Sequence, residues 1–280
     1  MRSRFATLLA VIALVITACS SAATPAPSAA PPASAAASTA ATPAAGASLT
    51  IYGASSLKAA LAKLQTAYIA AYPGTTITIS TDSSSALETK IEQGAPADIF
   101  LSADTSNPQK LVDKGLAGPI TRFAGNLLTV IVPTANPGAI QTPADLAKSG
   151  VKVIAADDTV PITKYATMLV ANLAKQSGYP ADFVAKYTAN IVSKEDNVAG
   201  VVSKIELGEG DAGIVYVTDA KTSTKVTTIA VPAGANVPAT YSGAVVKASA
   251  NAAAAQTFLA WLAGTDGQAI LATFGFLPPS

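Results

Sequence analysis

From Leu49 onward the chain alternates short apolar runs with helix-like patterns almost without a break. "LTIYGA" (49–54) reads as a strand, and Leu57, Leu61, Leu64 and Tyr68 then fall on one helical face. "TTITIST" (75–81) alternates as a half-buried strand does. A helix is expected over about 86–93, the strand "DIFLSA" over 98–103, and a helix near 108–114. "NLLTVIVP" (126–133), "VKVIAA" (151–156), "DAGIVYV" (211–217) and "KVTTIAVP" (225–232) are further strand candidates. Helices are expected over about 162–178 and, as one piece, from about Ser249 to about Thr273. Alternation of this length implies an α/β fold with one or two mainly parallel sheets.

Half of the 280 residues are hydrophobic and only 12% are charged, enough for one full core or two modest ones. The chain has no histidine and one cysteine. That excludes His-based metal sites, Ser-His-Asp or Cys-His catalysis, zinc clusters and an internal disulfide. A formal charge of +1 with no basic stripe gives no reason to expect nucleic acid.

The first residues, "MRSRFATLLAVIALVITACSS", carry two arginines, an apolar run from Leu8 to Ile16 and a small residue before Cys19. They read as an export signal, too short for a permanent membrane span. "ITAC" resembles the lipobox of bacterial lipoproteins, so residues 1–19 are expected to be a signal peptide ending at a lipidated Cys19. A plain cleaved signal with an incidental cysteine is the alternative. Residues 20–48 are almost all Ala, Pro, Ser and Thr and are expected to form a disordered tether. Once the signal is removed, Arg122 is the only arginine left.

Ligands of α/β folds bind outside the carboxyl ends of strands, where helices begin. Four junctions stand out: "YGASSLKAA", "TDSSSALE", "DDTVPITKYA" and "SKEDNVAGVV". Each can be read as a capped helix and nothing more. Ser85 and Glu88 fit a capping box, Pro161 suits a first helical position, and Asp196 or Asn197 is a natural cap. Taken together, however, they offer serine hydroxyls and free helix-start amides, which hold an anion without a cationic side chain.

These junctions, together with "GAPADIFLSAD", "GDAGIVYVTDA" and the closing "FGF", closely resemble the substrate-binding proteins of bacterial molybdate ABC transporters. The resemblance covers nearly all of residues 49–280. It implies a type II periplasmic-binding-protein fold, with two α/β lobes joined by two crossover strands and the ligand cleft between them. Lobe one would hold 49–127 and 241–280, and lobe two 128–240, with "LLTVIVP" and "ATYSGAVV" as the crossovers. It also implies binding of the oxyanion molybdate, and of tungstate, through the hydroxyls of Ser56, Ser84 and Tyr216 and the backbone amides of Ile162 and Val198. The molybdenum would have no direct protein ligand. Of the serine triplet, Ser84 would face the ligand, Ser85 would cap the helix and Ser83 would support the loop.

The resemblance further implies a permease partner in the membrane, an extracytoplasmic location, no enzymatic activity and no cofactor beyond the ligand. The lipobox adds a lipid anchor, and one lobe-closing hinge with an exposed tether makes a monomer the expectation. Two positions need separate attention. Ile162 is bulkier than the small residue usual there. Asp82 precedes the serines and would repel a dianion unless it points outward or caps locally. Two rival functions stay open. One is binding of another tetrahedral oxyanion, such as sulfate or phosphate. The other is a Ser-Lys hydrolase, for which Ser55 and Lys58 match the S-x-x-K spacing.

Overall fold

The computed structural model describes residues 46–279. Cys19 and the 20–48 segment therefore lie outside the described residues, except for its last three positions. Strand β1 (Ser48–Ala54) buries Leu49 and Ile51 completely, and α1 (Lys58–Ala71) lays Ala60, Leu61, Leu64 and Tyr68 against it. Gly53 permits the approach, because a Cβ there would stand 2.4 Å from Leu61 Cδ1. Next come β2 (Thr76–Asp82), α2 (Ser84–Glu92), β3 (Ile99–Ser102), α3 (Ser106–Asp113) and β4 (Thr121–Asn126).

The chain then passes through Leu127 into β5 (Leu128–Pro133) and on to β6 (Val153–Ala156), α4 (Pro161–Leu173) and α5 (Phe183–Ala189). After these follow β7 (Ile191–Glu195), α6 (Val198–Glu206), β8 (Ala212–Tyr216), α7 (Val217–Lys221) and β9 (Val226–Ile229). It closes with β10 (Ala239–Val245), α8 (Ala252–Ala263) and α9 (Thr265–Phe274).

The strands form two five-stranded sheets, ordered β2-β1-β3-β10-β4 and β7-β6-β8-β5-β9. In each sheet three parallel strands are followed by an antiparallel one, β10 against β3 and β5 against β8. The two halves thus share a topology although their sequences show no repeat. Each centres on buried strands such as Ile99–Ser102 and Leu128–Pro133, where every residue is buried.

Two expectations are corrected here. The second passage between the sheets is made by residues 230–238, whereas "ATYSGAVV" pairs entirely within the first sheet as β10. Pro232 and Pro238 have no N–H to give a ladder, so strand pairing stops between them. The expected single C-terminal helix is two helices, broken at Gly264. In α9, Gly267 sits where a Cβ would be 2.4 Å from the Leu262 carbonyl oxygen, so the second helix turns in against the end of the first. The elements left unassigned by sequence are short or exposed on alternate residues. β7, "IVSKE", has no fully buried position and therefore no apolar stripe.

Candidate functional site

The carboxyl ends of the parallel strands in the two sheets face one small cavity of about 10 Å³. From the first sheet it is lined by Ala54, Ser55 and Ser56 after β1, Ser83 and Ser84 after β2, and Ala103 after β3. From the second it is lined by Val160, Pro161 and Ile162 at the start of α4, Val198 at the start of α6, and Tyr216 at the end of β8. All five residues that the resemblance singled out line this one cavity. None of the lining residues carries a charge.

The serine triplet divides its work differently from the expectation. β2 runs to Asp82, Ser83 takes an extended conformation, and α2 begins at Ser84. Ser83 is therefore the cap, its Oγ accepting from Ala86 N at 3.3 Å. The expected box of Ser85 with Glu88 does not form, because both residues lie inside the helix. Ser85 instead holds Ser83, with 3.4 Å between their hydroxyl oxygens. Glu88 is buried near Lys110, and burial, together with a hydrogen bond to Glu92, pushes its carboxyl up to about 7. Ser84 is 1% exposed and its Oγ accepts from Ala103 N at 3.0 Å. That bond occupies a lone pair and leaves the hydroxyl proton free to donate.

Ser56 is the middle residue of the Ser55–Leu57 turn before α1 and lies 2.8 Å, oxygen to oxygen, from the hydroxyl of Tyr241. Pro161 is the first residue of α4 and Val198 the first of α6, where Asn197 Oδ1 caps Gly200 N at 3.1 Å. The amides of Ile162 and Val198 thus belong to the first turns, which have no intrahelical acceptors and carry the positive end of the helix dipole. Ile162 is 2% exposed, so its bulk is accommodated within the protein.

Tyr216 supplies the most informative atom. Its hydroxyl is fully buried and has no hydrogen-bond partner. Burial pushes its pKa well above the usual value, so it keeps its proton and can donate. The ring is held by edge contacts to Tyr165 and Tyr241, with centroids 6.4 and 5.5 Å away. A buried hydroxyl without a partner costs about 1–3 kcal/mol. It is a place where a ligand acceptor would be worth that much.

Asp82 does not line the cavity. Its Oδ1 accepts from Ser83 N at 2.8 Å and from Asn197 Nδ2 at 3.4 Å, and its Oδ2 accepts from Lys90 Nζ at 2.9 Å. Partial burial raises its pKa, but the Lys90, Ser83 and Asn197 bonds outweigh that and hold it below the ordinary range. It acts locally, holding the backbone of the cap residue Ser83, and also ties the end of β2 to the start of α6 across the cleft.

Sequence reasoning missed the groups behind the cavity. Asp219 is buried, and burial pushes its carboxyl up to about 7 despite its bond from Tyr216 N at 3.2 Å. Tyr241, Asn126 and Thr218 form a buried chain of side-chain hydrogen bonds. No periodicity marks them, because their partners are more than ninety positions away. The hydrolase alternative needs a desolvated lysine. Lys58 is exposed. A larger crevice of about 280 Å³ beside α4 and α5 is lined chiefly by Ala, Val, Ile and Thr side chains but also by Asp158 and Lys194, so it is not free of charge. Among the described residues no group of His, Cys, Asp and Glu side chains is placed to hold a metal ion.

Two α/β halves facing one charge-free, donor-lined cavity define the class of two-lobed solute-binding proteins. Over residues 49–277 the chain matches the bacterial extracellular solute-binding proteins, and it belongs to that family. It is 34% identical over 234 residues to the molybdate-binding protein ModA of Mycobacterium tuberculosis, covering 83% of this chain and 85% of that one. A Bacillus subtilis chain provisionally named an ABC transporter substrate-binding lipoprotein is 31% identical, covering 82% of this chain and 86% of that one. The structure of the periplasmic molybdate-binding protein of Azotobacter vinelandii superposes with a TM-score of 0.70 at 25% identity, over 83% of this chain and all of that one.

Proposed function

We propose that this chain captures molybdate, and tungstate with it, outside the cytoplasm and delivers it to the permease of an ABC transporter. The observation that carries this reading is the buried, unpartnered hydroxyl of Tyr216 in a cavity lined by donors and by no charged group. The names of the relatives point to the same ligand. Ser56, Ser84 and Tyr216 give hydroxyl protons, and Ile162 and Val198 give amide protons.

Molybdate and tungstate are fully deprotonated near neutral pH, so each oxygen accepts and none donates. Phosphate retains a proton in part of its population, with a pKa near ~6 in its esters, and its site profits from an acceptor. This cavity offers no carboxylate. Sulfate is also a pure acceptor but smaller, and donors it failed to reach would cost about 1–3 kcal/mol each. Nanomolar binding is about −12 kcal/mol. Roughly half a dozen hydrogen bonds to a charged group at about 1.5–3 kcal/mol each, with helix-dipole contributions, reach that before ordering costs.

The lobes in this reading are 49–127 with 239–280, and 128–238, the second boundary moved to where β10 joins the first sheet. They close over the anion and present a joint surface to the permease. The protein acts as a monomer without a further cofactor. Thermal unfolding with molybdate, tungstate, sulfate and phosphate tests the ligand. A ligand at about 100 times its Kd adds about 2.7 kcal/mol, and each kcal/mol raises Tm by about 2–4 °C at this size. Large shifts with molybdate and tungstate and a small one with sulfate are expected. A larger shift with phosphate, or none with molybdate, overturns the assignment.

We further infer that residues 1–19 are a lipoprotein signal and that Cys19 carries the lipid, with the residues between it and β1 as the tether, since Ser48 itself pairs in the sheet. The name of the Bacillus subtilis relative supports this. Among the described residues no helix is long and apolar enough to cross a membrane. Cys19→Ala is expected to move the protein from the membrane fraction to the soluble fraction. Retention in the membrane fraction would refute the anchor.

A further inference from the structure

Ser56 can either give or take a proton, and the chain of bonds behind it decides which. Asn126 Oδ1 accepts from Leu127 N at 2.9 Å, which fixes the orientation of the amide. Asn126 Nδ2 therefore faces the other way, donating to Thr218 Oγ1 at 2.9 Å and to Tyr241 Oη at 3.4 Å. An amide nitrogen only donates, so the Tyr241 oxygen accepts there and its own proton must go elsewhere. The acceptor within reach is Ser56 Oγ, at 2.8 Å. Having accepted from Tyr241, Ser56 turns its proton to the cavity. All four side chains are buried, and Phe123, Tyr216 and Phe276 hold the Tyr241 ring by edge contacts.

We propose that Asn126 and Tyr241 are positioning residues that commit Ser56 to donating, so that the cavity accepts only oxyanions without a proton of their own. Asn126 ends β4, at the passage between the two sheets, and Thr218 lies in α7 beside the second sheet. The donor state of a serine in the first half is thus set from the segment that joins the halves. The inference deepens the anion reading of the cavity and rests on it.

The test is a double-mutant cycle on the full-length protein, with molybdate binding measured by titration calorimetry. Tyr241→Phe keeps the ring and its aromatic contacts and is expected to weaken molybdate binding about tenfold. In a Ser56→Ala background the same change is expected to cost nothing further, since there is no hydroxyl left to orient. Hydrogen phosphate, which can donate, is expected to gain on molybdate in Tyr241→Phe because the Ser56 hydroxyl is then free to accept. Asn126→Ala repeats the cycle if the tyrosine variant does not fold, with a smaller loss that also disappears without Ser56. An unchanged affinity in Tyr241→Phe, or a loss that adds in full to that of Ser56→Ala, overturns the relay. If Ser56→Ala itself binds molybdate as well as the parent does, the cavity assignment fails and the relay with it.

Discussion

Tyr216→Phe is expected to raise the melting temperature of the ligand-free protein and at the same time to weaken molybdate binding. The hydroxyl is buried with no partner, so removing it relieves about 1–3 kcal/mol of uncompensated desolvation. At about 2–4 °C per kcal/mol for a domain of this size, the gain is several degrees. The bound state loses a hydrogen bond to a charged oxygen, about 1.5–3 kcal/mol, or roughly 10- to 150-fold in Kd. Opposite signs in the two measurements are the signature of an atom kept for a ligand. A tyrosine retained only for packing would show the same gain in melting temperature with an unaltered affinity.

Ser84→Ala and Ser56→Ala are each expected to cost a similar 10- to 150-fold in molybdate affinity. Ser84 Oγ takes the Ala103 amide proton, so its own proton points to a ligand, and no rearrangement of the hydroxyl is needed on binding. Its loss also strands the Ala103 N–H, a destabilisation of about 1–3 kcal/mol that lowers the melting point without unfolding the protein. Calorimetry on the folded variants gives the affinity separately from that stability change. If both serine variants bind as tightly as the parent, the anion is held elsewhere.

The contrast between the serines shows how far local pattern carries. "TDSSSALE" announces a helix start on an anion-binding junction, and that much follows from serine chemistry and spacing. Which serine does which task depends on where β2 ends. Its parallel register with β1 runs through Asp82, so the cap falls on Ser83, two positions before the capping-box match. The C-terminal helix shows the same limit. Its composition favours one long helix, but contact between Gly267 and the backbone at Leu262 requires two.

Most of the strands and helices, the serine and amide junctions and the scarcity of arginine were settled by the sequence, because hydrophobic periodicity and helix-start chemistry are local properties. The folded chain alone decided that the four junctions and Tyr216 converge on one cavity and that the Tyr216 hydroxyl is left without a partner. It alone decided, too, that Asn126, Thr218 and Tyr241 stand behind Ser56. Those facts depend on contacts between residues far apart in the chain, which only the pairing of strands into two facing sheets creates.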